Sequence, residues 1–402
     1  MLNFNWSLLK TLLVCCCLVS LAAGCAGVPE RNPLPESLAD EAAIPGIKNA
    51  RYWADQPPPY TADWFDLSSE QLQARYAAIF GRAHNYLAIS GGGPRGAFAA
   101  GLLNGWTAAG TRPQFTMVTG VSTGALIAPF AFLGPDYDHM IKKFYTEFST
   151  DDLMKERGKL KALFGDAAAD SAPLRQKIAE FIDEDVMAAI AAEHAKGRIL
   201  AIGTTNLDAG RPVTWNIGRI AASGAPNALD LIHDILLASA SVPAAFPPVM
   251  FTVEADGQQY DEMHVDGGVT SLVYLYPLGL DWDEVLGRLE VPGRPNVFVI
   301  RNGYLKEGWA SVKRNSIYIA ARSLDALMQS AVYGDMYRIY LATLRDGINY
   351  HLAFIPESFD AESSEPFDPQ YMTELFNLGY EMAKDGYPWK SEPPGYDAEE
   401  LE

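Results

Sequence analysis

The stretch Asn85–Trp106, NYLAISGGGPRGAFAAGLLNGW, decides the fold. An apolar run at 86–90 reads as a buried strand, a glycine-rich turn follows, and small and apolar residues at 95–109 read as a helix packed close to its strand. The pattern then repeats, with a strand at 115–121 and a helix at 123–133. Strand–helix–strand–helix order argues for a parallel sheet covered by helices. Outward from this pair, strands are expected in RILAIGTTNL, PVTWNIG, MFTVEA, YDEMHVD and NVFVIRN, and helices at 136–148, 172–196 and 227–240. The expected fold class is α/β: a three-layer α/β/α sandwich with a mostly parallel central sheet, its catalytic domain spanning 84–305.

The flanks read differently. Residues 306–390 hold a long helical region, the strand-like INYHLAFIP and a last helix, together an expected C-terminal helical extension, and 391–402 form an acidic tail. Residues 25–83 read as a tether followed by a helix from Ser68, where SSEQ fits a capping box. The tether assignment rests on proline, polar residues and the lack of any sustained period from Ala26 to Tyr60. Lys10 precedes the uncharged run TLLVCCCLVSLAAG, too short to cross a bilayer comfortably, so residues 1–24 read as a signal peptide. The run ends in LAAGC, which resembles the lipobox of bacterial lipoproteins and makes Cys25 the expected lipidated N-terminus. The location this implies is a bacterial cell envelope, with the outer membrane expected because Ala26 and not aspartate follows the cysteine.

All four cysteines lie within the first 25 residues, so the rest of the chain has neither a disulfide framework nor a cysteine metal site. The six histidines are too scattered for a metal centre, and neither metal nor cofactor is expected. A formal net charge of −19 with no basic run excludes nucleic acid as a partner, because phosphate binding needs a surface lined with Lys and Arg.

A glycine loop opening a helix collects anions on converging amides. A dinucleotide would require an acidic residue about 20 positions further on, yet no Asp or Glu occurs from Gly91 to Pro135, and no Gly-Lys-Ser/Thr ending is present. The remaining anion is the oxygen of an acyl group under attack, with Gly91, Gly92 and Gly93 as donors. The partner feature is VTGVSTGAL, in which Gly120 and Gly124 flank Ser122 as G-x-S-x-G at a strand-to-helix junction, the setting of a nucleophile elbow. A third is HVDGGVTS, with Asp266 at a strand end and Gly267 and Gly268 turning the chain; on its own a D-G pair is more often a simple turn.

GGGPRG, GVSTG and DGG in this order resemble the patatin-like phospholipases, and LLASASVPAAFPPV (236–249) resembles the segment preceding that family's aspartate turn. The resemblance covers about 85–280. It implies a Ser-Asp dyad in which Ser122 is the acyl-accepting nucleophile and Asp266 the proton acceptor, with Gly91–Gly93 as the oxyanion hole. Arg95, Gly96, Gly120, Gly124, Gly267 and Gly268 support the motifs. It also implies hydrolysis of acyl esters of phospholipids, lysophospholipids or related lipids. The segments GAFAAGLL, APFAFLG and VPAAFPP are apolar enough to line an acyl groove. Two alternatives stand beside this reading. One is a Ser-Asp-His triad, for which His351 is the only histidine after the acid; the other is a catalytically silent lipoprotein that binds lipid or a partner.

Overall fold

The structure, a computed structural model, describes residues 31–158, 166–305, 309 and 311–396. The expected signal peptide and Cys25 lie outside the described residues. One sheet of nine strands organises the chain. In chain order these are β1 (Arg51–Trp53), β2 (Asn85–Ile89), β3 (Met117–Val121), β4 (Ile199–Asn206), β5 (Arg211–Asn216), β6 (Val249–Ala255), β7 (Gln258–Asp266), β8 (Asn296–Arg301) and β9 (Asn349–Phe354). The main path runs β1-β5-β4-β3-β2-β8-β9. Along this path every pairing between β4 and β9 is parallel, β5 and β1 add an antiparallel edge, and the antiparallel β6–β7 hairpin joins β4 off the path.

Both faces of the parallel part are covered, which is why its strands read as continuous apolar runs. Alternate residues serve opposite layers, as the pleat requires. Leu87, Ile89, Phe298 and Ile300 join one core with the helices α2 (Gly96–Ala108) and α3 (Thr123–Leu133). Tyr86, Ala88, Val297 and Val299 join a second core with Leu72 of α1 (Ser69–Arg75) and with Trp64 and Trp282. The first layer also contains α4 (Asp138–Glu147) and α5 (Ala228–Ser239), and the second receives part of α6 (Ser316–Arg345). A last helix, α7 (Pro369–Ala383), lies against α2, where a Cβ at Gly101 would strike the Phe376 carbonyl and one at Gly105 the Tyr380 carbonyl. The small residues of AAGLLNG are there so that two helix backbones can touch.

Three expectations change. Residues 31–60 are a packed strap and not a tether: Arg31 pairs with Asp208 and Asp261 at 2.7 Å each, and β1 pairs with β5. Arg51 of that strap forms a buried ion pair with Glu262 at 2.6 Å. The single helix expected at 172–196 is two, Ala172–Phe181 and Glu184–Ala195, because the Asp183 side chain accepts the Val186 N–H at 2.9 Å and starts a new helix. The expected C-terminal extension does not stand apart from the central sheet: its strand-like segment is β9, paired in parallel with β8.

Candidate active site

β3 stops at Val121, and one residue later the chain is already entering α3. Ser122 makes that reversal with φ 55° and ψ −125°, a left-handed conformation costly for a residue with a Cβ. The turn closes so tightly that a Cβ at Gly120 would collide with the Gly124 carbonyl, and one at Gly124 with the Ile89 carbonyl. Those two contacts are the physical content of G-x-S-x-G. The strained residue is pinned from several sides. Its N–H donates to the Ser239 hydroxyl at 3.0 Å, which donates in turn to the Gly203 carbonyl at 2.7 Å. The Tyr145 hydroxyl bonds both the hydroxyl and the carbonyl of Thr123, packed beside Gly96. The amides of the first turn of α3 have no partner within their own helix, so its positive end faces the serine.

Sheet register brings Asp266 to this serine. On one edge of β4, β3 ends with Val121 paired to Gly203. Because β5 occupies the other edge along its whole length, β7 can pair with Thr204 only where β3 has run out, and Thr204 is opposite Asp266. Two residues 144 positions apart thus become neighbours through one exchange of strands. Asp266 is fully buried and begins the Gly267–Val269 turn. Its Oδ1 accepts the Gly268 N–H at 2.7 Å, whereas Oδ2 closes no hydrogen bond. Burial pushes the carboxyl up to about 7, against the opposing pull of the Ser122 hydroxyl and the Gly268 amide. The Ser122 hydroxyl is thus among the groups that stabilise the carboxylate, while Oδ2 is left free to take a proton.

The glycine loop presents the amides expected as oxyanion donors, with one correction. The Gly91 N–H donates to the Leu272 carbonyl at 3.0 Å, which removes it from the expected oxyanion hole. Among the described residues, no carbonyl or side chain accepts from the N–H of Gly92 or Gly93. The loop is held by Asn302, which the sequence reading missed. Its N–H donates to the Ser90 hydroxyl at 2.8 Å, its side-chain NH2 to the Ser90 carbonyl at 2.9 Å, and its side-chain oxygen accepts the Ala99 N–H at 3.2 Å. The available signal was its place in NVFVIRN, just past the C-terminal end of a strand, where open α/β sheets build their sites. Asp335 acts from further away by accepting the Leu272 N–H at 2.7 Å and so fixing the carbonyl that engages Gly91. Arg95 lies over the Tyr304 ring, its guanidinium carbon 5.5 Å from the centroid, and ties the loop to the chain after β8. A Cβ at Gly92 would strike the Asn302 carbonyl, backbone that cannot simply move aside. Gly92→Ala should accordingly displace the donors and lower kcat ~10² to 10³-fold, the usual cost of losing one oxyanion donor, with a smaller change in KM. Steady-state kinetics on a soluble ester measures both.

No histidine joins the pair. His351 is in register with Phe298, Leu87 and Val118, so it lies four residues short of Ser122 and three strands away, about 13 Å along the sheet and about 14 Å across it. It bonds Asn296 at 3.1 Å and stacks on Phe298. His264, two residues before Asp266, spends its ring nitrogens on Thr204 at 2.9 Å and Glu262 at 3.2 Å, and burial keeps its pKa below the ordinary value. The triad alternative therefore fails on geometry.

Of the three segments expected to line an acyl groove, VPAAFPP is half-exposed apart from buried Phe246, while GAFAAGLL and most of APFAFLG are buried in the first core. The space beside the site is instead a cavity of about 370 Å³ on the opposite face of the sheet, between β4, β5 and the segment 270–279. Val121 and Gly267, the sequence neighbours of the serine and the aspartate, line it together with Val273, Leu275, Ile339 and Ala342.

Comparison with known proteins gives one family match: residues 87–276 fit the family model described as patatin-like phospholipase. No curated protein matches the chain. Among solved structures, VipD from Legionella pneumophila aligns at 13% identity with a TM-score of 0.39, covering 75% of this chain and 66% of that one. The type III effector protein ExoU aligns at 14% identity with a TM-score of 0.24, covering 76% and 54%. The chain thus spans less than two thirds of either.

Proposed function

From the match of residues 87–276 to the family model described as patatin-like phospholipase, we propose that the protein is a lipolytic acyl hydrolase working through a Ser122–Asp266 dyad. The observation that carries this reading is the pairing of a strained serine with a buried carboxyl whose pKa is raised to about 7. A carboxylate with the ordinary pKa of about 3.9 is a weak base toward a hydroxyl; one raised near neutrality holds the proton far better at the moment of attack.

The steps balance as follows. Ser122 Oγ attacks the acyl carbonyl while its proton passes to the free Oδ2 of Asp266. Negative charge on the former carbonyl oxygen is met by the N–H groups of Gly92 and Gly93 and by the positive end of α3. Collapse breaks the ester C–O bond, and the leaving alkoxide takes the proton from Asp266. Water then attacks the acyl-serine, gives its proton to Asp266, and the acid is released as that proton returns to Ser122. Acyl esters of phospholipids, lysophospholipids and related lipids are the proposed substrates, with the cavity beside Val121 and Gly267 receiving the acyl chain.

Fatty-acid release from a panel of such esters of differing chain length tests the proposal. Release by the wild-type protein and not by Ser122→Ala is expected; no release from any ester by a folded protein would favour the silent lipid-binding lipoprotein. Among the described residues no helix is long and apolar enough to cross a membrane. Attachment is proposed through acylated Cys25, where each buried methylene adds about 0.8 kcal/mol. A Cys25→Ser protein should lose radiolabelled palmitate and its resistance to extraction from membranes by a salt wash.

A further inference from the structure

Helix α6 has two unlike halves. From Val332 onward it contributes Val332, Met336, Ile339 and Tyr340 to the second core. The stretch leading into it and its first turns stand clear of the body: residues 311–315 and 318–321 are exposed without exception, whereas from Arg322 exposed and half-buried positions mix and Met328 already packs against the second core. This arm is rich in large apolar side chains, with Tyr318 51%, Ile319 49% and Leu327 68% exposed, and Val312 and the almost bare Trp309 (98%) just before it. On a helix, where successive residues turn by about 100°, Tyr318, Ile319 and Leu327 point in three different directions. A second protein copy would cover one face and leave a polar face opposite. An arm apolar on several sides suits a medium that surrounds it.

Charge points the same way. In a chain of net charge −19, residues 309–327 carry Lys313, Arg314 and Arg322 against a single acid, Asp325. Lys313 sits over the Tyr318 ring at 5.1 Å, and Arg322 is paired with Asp325 at 2.6 Å. Aromatic and cationic side chains flanking aliphatic ones match the boundary between headgroups and acyl chains. The arm also leads into the site: Leu327 is followed by Met328, whose methyl would lie 2.7 Å from a Cβ placed on Gly268, the residue that donates to Asp266. Ser122 itself is only 6% exposed, so substrate has to be handed to it.

We infer that residues 311–327 form an interfacial arm that inserts into an anionic phospholipid surface and presents lipid at the Met328 side of the dyad. The inference rests on the reading of the chain as a lipid hydrolase, and the test separates the two. In full-length Ser122→Ala protein, hydrogen exchange at residues 311–327 should slow on addition of phosphatidylcholine–phosphatidylglycerol vesicles. In the active protein, the triple change Tyr318→Ser, Ile319→Ser, Leu327→Ser should cut turnover of vesicle phospholipid by at least ~10-fold, given the apolar area withdrawn from the interface. Turnover of a soluble monomeric ester should stay within about twofold. Unchanged exchange with vesicles overturns the inference, as does protection that appears on raising protein concentration without lipid, which would mean a second copy covers the arm. An equal loss on the soluble ester overturns it too, by making the arm structural. If the wild-type protein cleaves no ester yet the arm is still protected by vesicles, the hydrolase reading falls and the lipid-docking arm stands.

Discussion

Ser122→Ala should abolish both ester hydrolysis and labelling by a fluorophosphonate, with turnover falling at least ~10³-fold, because a nucleophile and its base act as a unit. The residual rate would come from oxyanion donors that no longer face an attacking group. The substitution removes one oxygen from a residue whose backbone is held by the Ser239 hydroxyl and by the turn itself, so circular dichroism and melting should match the wild type. A folded Ser122→Ala protein with unchanged turnover would end the assignment.

Asp266→Asn should cost nearly as much, since an amide cannot take the proton, whereas His351→Ala should keep most activity. The raised pKa makes this prediction quantitative in pH. Only the carboxylate accepts a proton, so kcat/KM should climb as pH rises through about 7 and then level off. The same shift has the opposite sign for stability. Between the unfolded pKa of 3.8 and the folded value of about 7, the native state holds a proton that the unfolded state has released, so stability falls as pH rises across that window. A pKa rise of that size corresponds to a penalty of about 4 kcal/mol above pH 7 in the wild type, and less after local relaxation. Asp266→Asn escapes it, because a neutral amide pays no desolvation of charge. The inactive variant should therefore melt higher than the wild type at pH 8 and close to it at pH 4, as thermal unfolding at the two pH values will measure. A variant that is inactive but no more stable at pH 8 would place the wild-type carboxyl pKa nearer its ordinary value.

Much of this site could be read in the sequence because its demands are local. A serine at φ 55° needs glycines at fixed spacing, and a strand ending in D-G-G announces its own turn. The strands from β2 to β8 were legible because burial on one or both faces leaves continuous or alternating apolar runs. What was hidden depends on partners far away in the chain. Gly91 looks like its two neighbours in GGG and differs from them only because the Leu272 carbonyl takes its N–H. Asn302, Ser239 and Asp335 are ordinary polar residues until the sheet sets them against the glycine loop, the serine amide and Leu272. The strap at 31–60 has no period because it is held edge-on by ion pairs and a three-residue strand, neither of which leaves a repeating pattern. His351 had the right chain order for a triad, and only its register with Val118 rules it out.

The close crossing of α2 and α7 has a consequence in time. Gly101 meets the backbone at Phe376, and the roughly 270 residues between them take on the order of 15 to 50 s to synthesise at ~5–20 residues per second. Throughout that interval the nascent chain carries an uncovered glycine-lined apolar helix, and β2 and β8 must wait about 200 residues for each other as well. Contacts of such separation are slow to form even in a finished chain. The protein is thus committed to a long unfolded youth, during which binding by a chaperone or threading through a membrane pore competes with no native core.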